Sequence, residues 1–218
     1  GLTTALVLSR LNLDIHLVGK FKAKQAYLDN RTTAVSPSNY KFLTKNFKKE
    51  HRKLFWPSEK IELYYQDEDK YFNFMNFKKE EKKLMYIVAN SKLKKAIYKK
   101  VIKKKNIKII NTEVKNIDQK NSSVYFKNRN INYDSILLCA GSKSQIVRKF
   151  VGTRNVSNSF SEIAFTCIIK HNLKINSSRQ YFLKEGPMAL LPLSKNKFSL
   201  IWSVNKNYTN DTIKDLIN

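Results

Sequence analysis

The sequence predicts an α/β chain: part of a nucleotide-binding βαβ unit, then a small β-meander, then an antiparallel sheet. Three observations carry this expectation. The opening stretch from Gly1 to Lys20, GLTTALVLSRLNLDIHLVGK, sets an apolar helix directly before an apolar strand. Residues 84–140 alternate strand, helix and strand patterns, and beyond residue 150 period-two strands follow one another without a helix between them.

The first helix is predicted over Leu2–Leu11, with Leu2, Ala5, Leu6 and Leu8 near one face and Asn12 as a left-handed cap. Leu13–Val18 then reads as a strand. Ser36-Pro37-Ser38 starts a short helix with Tyr40, Phe42 and Leu43 on its apolar side, and Lys45–Lys53 is charged and exposed. Ile61–Tyr65 and Tyr71–Phe77 form strands around an acidic turn. Leu84–Val88 leads through Asn90, the expected N-cap, into a helix over Ser91–Lys103 with Leu93, Ala96, Ile97 and Val101 buried. Four strands follow, at Ile107–Ile110, Glu113–Ile117, Ser123–Lys127 and Ser135–Ala140. The first three of these make the meander, and the last, apolar throughout, should be a central strand. Strands at Glu162–Lys170, Arg179–Leu183, Met188–Leu193 and Phe198–Val204 complete the antiparallel sheet, and Thr209–Ile217 starts another helix. The implied domains are 1–150, with part of the sheet inserted near 55–80, and 151–218.

Composition sets the class. With 42% apolar and 12% aromatic residues in 218, and only five glycines and four prolines, the chain has the material for a core. No apolar run reaches the roughly 20 residues of a bilayer-spanning helix, so a soluble protein is expected. The net charge of +25 raises a nucleic-acid or anionic-membrane alternative. Its lysines are spread along the whole chain, which points to a solvated surface and away from nucleic acid. Cys139 and Cys167 lie in apolar runs and should be buried free thiols in a reducing compartment. His16, His51 and His171 are far apart and lack companions at ligand spacing, so no metal site is expected.

Several segments taken together resemble the FAD-dependent aromatic-ring monooxygenases, most closely the ubiquinone-biosynthesis hydroxylase branch. Asp29-Asn30-Arg31-Thr32-Thr33-Ala34-Val35-Ser36 is similar to the D-x-R-x-x-A-L-S signature of that branch. Tyr86–Asn90 resembles its strand-to-helix entry, Thr112-Glu113-Val114 the position where a valine backbone meets adenine, and Tyr133–Gly141 with the following Ser142–Arg148 its strand and Asp-Gly motif. Gly186-Pro187-Met188-Ala189-Leu190-Leu191-Pro192-Leu193, with Trp202-Ser203, is similar to the G-P-x-A-x-L-P-L and W-S elements of the substrate sheet. Two departures stand out. Gly19 or Lys20 replaces the acid that would bind the adenosine ribose, and Cys139-Ala140-Gly141-Ser142 offers no carboxylate.

The resemblance implies an FAD/NAD(P)-binding, Rossmann-like three-layer domain, incomplete here, beside the substrate sheet. It implies FAD as cofactor, held by Gly1, Arg31, Thr32, Asn90, Val114, Ala140 and Gly141, and a substrate pocket walled by Gly186, Pro187, Leu191, Pro192 and Trp202. A surface cation at Arg31 and sheet-core positions for the pocket residues are the competing structural roles. NAD(P)H, dioxygen and an apolar aromatic ubiquinone precursor are the implied partners, in a cytoplasmic or membrane-peripheral setting. The flavin carries the chemistry, so no catalytic side chain is nominated. Full activity is expected of the parent enzyme, of which this chain resembles a part lacking the first strand and the C-terminal third, and the 218-residue chain alone is expected to be inactive.

Overall fold

A computed structural model describes residues 1–19, 29–46, 49–78, 83–141, 144–151, 160–173 and 176–206. The polypeptide forms two compact units, one of residues 1–26 and 94–158, the other of 27–93 and 159–218. The segment between 27 and 93 therefore belongs with the antiparallel strands, a larger share of the chain than the 55–80 insertion expected from sequence. The expected C-terminal helix at Thr209–Ile217 lies outside the described residues.

In the first unit, helix α1 (Leu2–Leu8) precedes strand β1 (Ile15–Val18). The helix ends three residues before the expected Leu11, and its cap is Ser9 in right-handed geometry (φ −61°), not Asn12. Ser9 Oγ donates to Leu6 O at 2.8 Å, and Asn106 Nδ2 donates to both Ser9 O and Leu13 O, at 3.1 and 3.0 Å. That amide satisfies two carbonyls past the helix end, where the N–H groups of Arg10 and Leu11 turn to Val7 O and Leu8 O in tighter bonds that close the helix. β1 pairs in parallel with β7 (Ile107–Ile110), Ile15 opposite Ile107 and Val18 opposite Ile110. Ala5, Leu6, Ala96, Ile97, Val101, Ile107 and Ile110 are buried here, as the 3.6-residue and two-residue periods require.

The meander is built from β8 (Asn116–Asp118), β9 (Ser123–Tyr125) and β10 (Asn130–Asn132), in the order β10-β9-β8. Its third strand is thus 130–132, while Ile107–Ile110 joins the parallel pair instead. Ser135–Ala140 is not a strand. Leu137 is 62% exposed and Leu138 41%, so apolar composition alone did not place this run in a sheet. A strand needs a neighbour for its N–H and C=O groups as well as apolar side chains. Helix α4 (Gln145–Val151), unforeseen in the sequence, follows.

The second unit holds two sheets. The smaller has the order β2-β6-β3, with β2 at Thr32–Val35, β3 at Trp56–Ser58 and β6 at Met85–Ala89. Helix α2 (Pro37–Asn46) starts at the predicted Ser-Pro-Ser, where Ser36 Oγ accepts from Asn39 N at 3.3 Å. A 3-10 helix spans Lys49–Leu54. Val35, Phe55 and Val88 form a buried cluster with Tyr40, Tyr86 and Leu93 packed on it, and Tyr40 stacks on Tyr86 at 3.7 Å. Helix α3 (Asn90–Val101) leads on from β6.

The larger sheet has six strands in the order β11-β14-β13-β12-β4-β5, where β4 is Lys60–Asp67, β5 Lys70–Lys78, β11 Glu162–Lys170, β12 Ser178–Leu183, β13 Gly186–Ser194 and β14 Lys197–Asn205. All neighbours are antiparallel except β12 and β4, so the sheet is mixed. Two hydroxyl contacts join the smaller sheet to it: Thr32 Oγ1 donates to Ser199 Oγ at 3.1 Å, and Ser58 and Ser178 share a buried bond of 2.9 Å. These bonds explain why the segment 27–93 belongs with the late strands.

Candidate cofactor and substrate site

The first unit carries Gly1, Val114, Ala140 and Gly141. Gly1 lies at the head of α1, and a Cβ there would meet Cys139 Cβ at 3.6 Å and Leu17 Cδ1 at 3.8 Å. Thr4 Oγ1 also reaches Cys139 Sγ at 3.8 Å. The helix start, strand β1 and the 139–141 turn therefore converge. Gly141 has φ +78° with open space around its Cα, a conformation that favours glycine and leaves its backbone accessible. Ala140 beside it is exposed, and Val114 is half-buried, bracketed by Thr112 N on Ile110 O and Lys115 N on Tyr125 O. Cys139 is exposed, as is Cys167 on the edge strand β11, so both thiols are free but not buried as the sequence led us to expect.

The second unit carries Arg31, Thr32, Asn90 and the pocket residues. Arg31 is held by a bidentate pair with Asp29, Nε to Oδ1 at 2.8 Å and Nη2 to Oδ2 at 2.9 Å, which raises its pKa through the hydrogen bonds and the charge. Its side chain is still 68% exposed while the Asp29 carboxylate is 7% exposed, so the carboxylate aims a guanidinium outward. Thr32 uses its hydroxyl on Ser199, and Asn90 Oδ1 accepts from Thr33 at 2.6 Å while its N–H bonds Arg31 O.

Strand alternation divides the expected pocket wall. Cross-strand partners share a face, so Pro187 and Leu191 lie on the face of Ser199, while Pro192 and Trp202 lie on the other with Met188 and Leu200. Trp202 is buried against Val204, Phe165, Leu183, Met188 and Leu200 and donates its indole N–H to Gly186 O, a sheet-core position.

Sequence reading missed a charged cluster on this second face. Glu62 accepts from Lys60 at 2.6 Å, Ser177 at 2.6 Å and Arg179 at 2.9 Å, and Arg179 lies over the Tyr64 ring. Burial pushes the Glu62 carboxyl upward, and these three donors overcome it and hold the pKa at about 2. Partners 117 residues apart leave no mark in a single sequence.

In the first unit the exposed main chain at the Gly141 turn, and in the second the outward guanidinium of Arg31, are each groups of the kind that suit phosphate oxygens. The ribose-binding carboxylate has no counterpart after β1, where Gly19 gives its N–H to Ile110 O at 3.1 Å; Lys20 lies outside the described residues.

No family model matches the chain. The human ubiquinone biosynthesis monooxygenase COQ6, mitochondrial, is 34% identical over 80 residues, which are 36% of this chain and 17% of that protein. Among solved structures, PqsL, a probable FAD-dependent monooxygenase from Pseudomonas aeruginosa, superposes with a TM-score of 0.75 at 13% identity, over 94% of this chain and 58% of that one. A 2-methyl-3-hydroxypyridine-5-carboxylic acid oxygenase gives 0.74 at 13% identity, over 99% and 60%. A flavin-dependent halogenase from Xanthomonas campestris gives 0.70 at 13% identity, over 99% and 56%. The chain therefore has the fold shared by FAD-dependent monooxygenases and flavin-dependent halogenases, and spans about three fifths of those structures. Within that class, its sequence likeness is to the ubiquinone-biosynthesis monooxygenase.

Proposed function

We propose that the chain is part of an FAD-dependent monooxygenase that hydroxylates the aromatic ring of a ubiquinone precursor with NAD(P)H and dioxygen. What supports this is the 34% identity over 80 residues to the human ubiquinone-biosynthesis enzyme, on a chain with the flavin-monooxygenase fold. FAD, when bound, supplies the activation of dioxygen. Arg31 would be a donor to phosphate or ring oxygens of the cofactor, and the exposed backbone of Ala140 and Gly141 would be open to an anionic group. Gly1 and Val114 contribute main-chain groups only. The pocket wall is the face of Pro187 and Leu191, which keeps water from the ring. Without the ribose carboxylate, FAD affinity is lower than in an enzyme that has one. Among the described residues no helix is long and apolar enough to cross a membrane. Attachment to a membrane surface is the way such a protein would reach an apolar precursor.

Complementation tests the assignment. In a bacterium lacking a ring hydroxylase of ubiquinone synthesis, the gene that contains this chain restores ubiquinone by mass spectrometry, and Arg31→Met abolishes the rescue. An unchanged pool of unhydroxylated precursor overturns it.

A further inference from the structure

The main chain around Arg31 is fastened from both sides. Its carbonyl accepts from Asn90 N at 3.0 Å, and the strand that follows is fixed by Thr33 Oγ1 donating to Asn90 Oδ1 at 2.6 Å and by Thr32 Oγ1 donating to Ser199 Oγ at 3.1 Å. A long side chain remains, and Asp29 takes up its freedom. Asp29 Oδ1 accepts from Arg31 N at 3.2 Å and from Nε at 2.8 Å, while Oδ2 accepts from Nη2 at 2.9 Å. The two partners share water unequally, the carboxylate being 7% exposed and the arginine side chain 68%. Two ions that both stand in water hold each other loosely, whereas a carboxylate this far out of water needs its donors and keeps them.

A guanidinium presents its N–H groups as a rigid plane with two forks, one along the side at Nε and Nη2 and one at the end at Nη1 and Nη2. Asp29 occupies the side fork. The end fork is left on the exposed part of the side chain. We infer that Asp29 is a positioning residue for the cofactor: it fills the side fork of Arg31 and so presets the end fork to donate to cofactor oxygens, those of a phosphate or those of the flavin ring. A fork already held in place binds without the cost of ordering a flexible side chain, which is where a carboxylate that never touches the ligand gains its effect. The inference rests on the reading of Arg31 as a cofactor donor and adds the residue that acts through it. Asp29→Asn is the discriminating substitution, because the amide keeps the shape and one oxygen for Arg31 N and Nε but takes away the charge and the second acceptor.

The test is a double-mutant cycle on the full-length protein that contains this chain, with FAD affinity read by flavin fluorescence in the parent, Asp29→Asn, Arg31→Met and the double variant. Asp29→Asn is expected to bind FAD about tenfold more weakly, and the double variant no more weakly than Arg31→Met alone, since Asp29 has nothing to aim once the guanidinium is gone. ADP and riboflavin, each competing with FAD, separate the two sources of oxygen: a loss on ADP puts the fork at the phosphates and a loss on riboflavin puts it at the ring, and either sustains the inference. In the flavin-free parent the Arg31 Nε proton, assigned by its absence from Arg31→Met, should exchange with water at least about tenfold more slowly than in Asp29→Asn by nuclear magnetic resonance. Parent-like affinity in Asp29→Asn beside a weakened Arg31→Met overturns the inference alone, as do losses that add in the double variant or an Nε proton that exchanges equally fast in both proteins. Parent-like affinity in Arg31→Met overturns the reading of Arg31 itself and the inference with it.

Discussion

Trp202 donates its indole N–H to the carbonyl of Gly186 at 3.2 Å, so the turn that opens β13 is fastened to the middle of β14. Gly186 sits at φ +135°, and a Cβ there would stand 2.0 Å from Ser203 O, a backbone atom that cannot move without breaking the ladder. Gly186 is thus fixed by close approach of two chains, whatever part it plays beside a substrate.

Gly186→Ala is therefore expected to destabilise the chain by about 3 kcal/mol or more, through backbone strain and the displaced Trp202 contact. Urea unfolding followed by tryptophan emission measures it; a loss below about 1 kcal/mol would show that the turn relaxes. Trp202→Phe removes only the hydrogen bond and part of the packing and should cost less.

Much of the second unit was readable in the sequence, because its β-branched and aromatic runs are separated by polar turns and the Ser36-Pro37 start has a local mechanism. Ser135–Ala140 was misread, since an apolar run reports what a segment could bury and not whether a neighbouring strand is there to pair with it. Asn106, nearly a hundred residues away, donates to the carbonyl of Ser9 just past α1, a contact that no local pattern announces. Arg31 was nominated from its local motif. The Glu62–Arg179 pair and the Thr32–Ser199 bond, which depend on distant strands meeting, were not.

The exposed thiols give a direct check. Cys139 and Cys167 should both react with a thiol reagent such as Ellman's under native conditions, giving two equivalents before any denaturant is added. Reaction of either thiol only on unfolding would restore the buried placement expected from composition.

Arg31 offers a separation of binding from stability. The guanidinium is exposed but its partner carboxylate is not, so Arg31→Met leaves Asp29 without two of its donors and should lower the unfolding free energy by about 1–3 kcal/mol, a cost that Asp29→Asn in the same chain relieves. If the guanidinium meets FAD phosphate, the same variant weakens FAD binding about tenfold or more by flavin fluorescence. Equal affinity of variant and parent would return Arg31 to the role of a surface cation.

Glu62 and Arg179 provide the last and sharpest prediction. The carboxylate is buried, accepts three hydrogen bonds and has its pKa lowered from 4.5 to about 2. A group whose pKa is lower folded than unfolded adds stability that is fully present above the unfolded value and is lost as pH falls through the folded one. Glu62 therefore contributes on the order of 3 kcal/mol at neutral pH, fading between about pH 4.5 and 2. Glu62→Gln should flatten the acid limb of the stability profile over that window, and at neutral pH should cost more than Arg179→Met, because it leaves the guanidinium and the Lys60 ammonium with one neutral amide oxygen in place of a carboxylate. The double variant should be less unstable than the sum of the singles, since removing both charges leaves neither one orphaned. Urea unfolding of the four proteins at pH 7 and pH 3 measures the coupling. Strict additivity at pH 7, or an acid limb unchanged in Glu62→Gln, would mean that water screens the pair and that the sheet owes its stability there to Tyr64 and Tyr181 stacking alone.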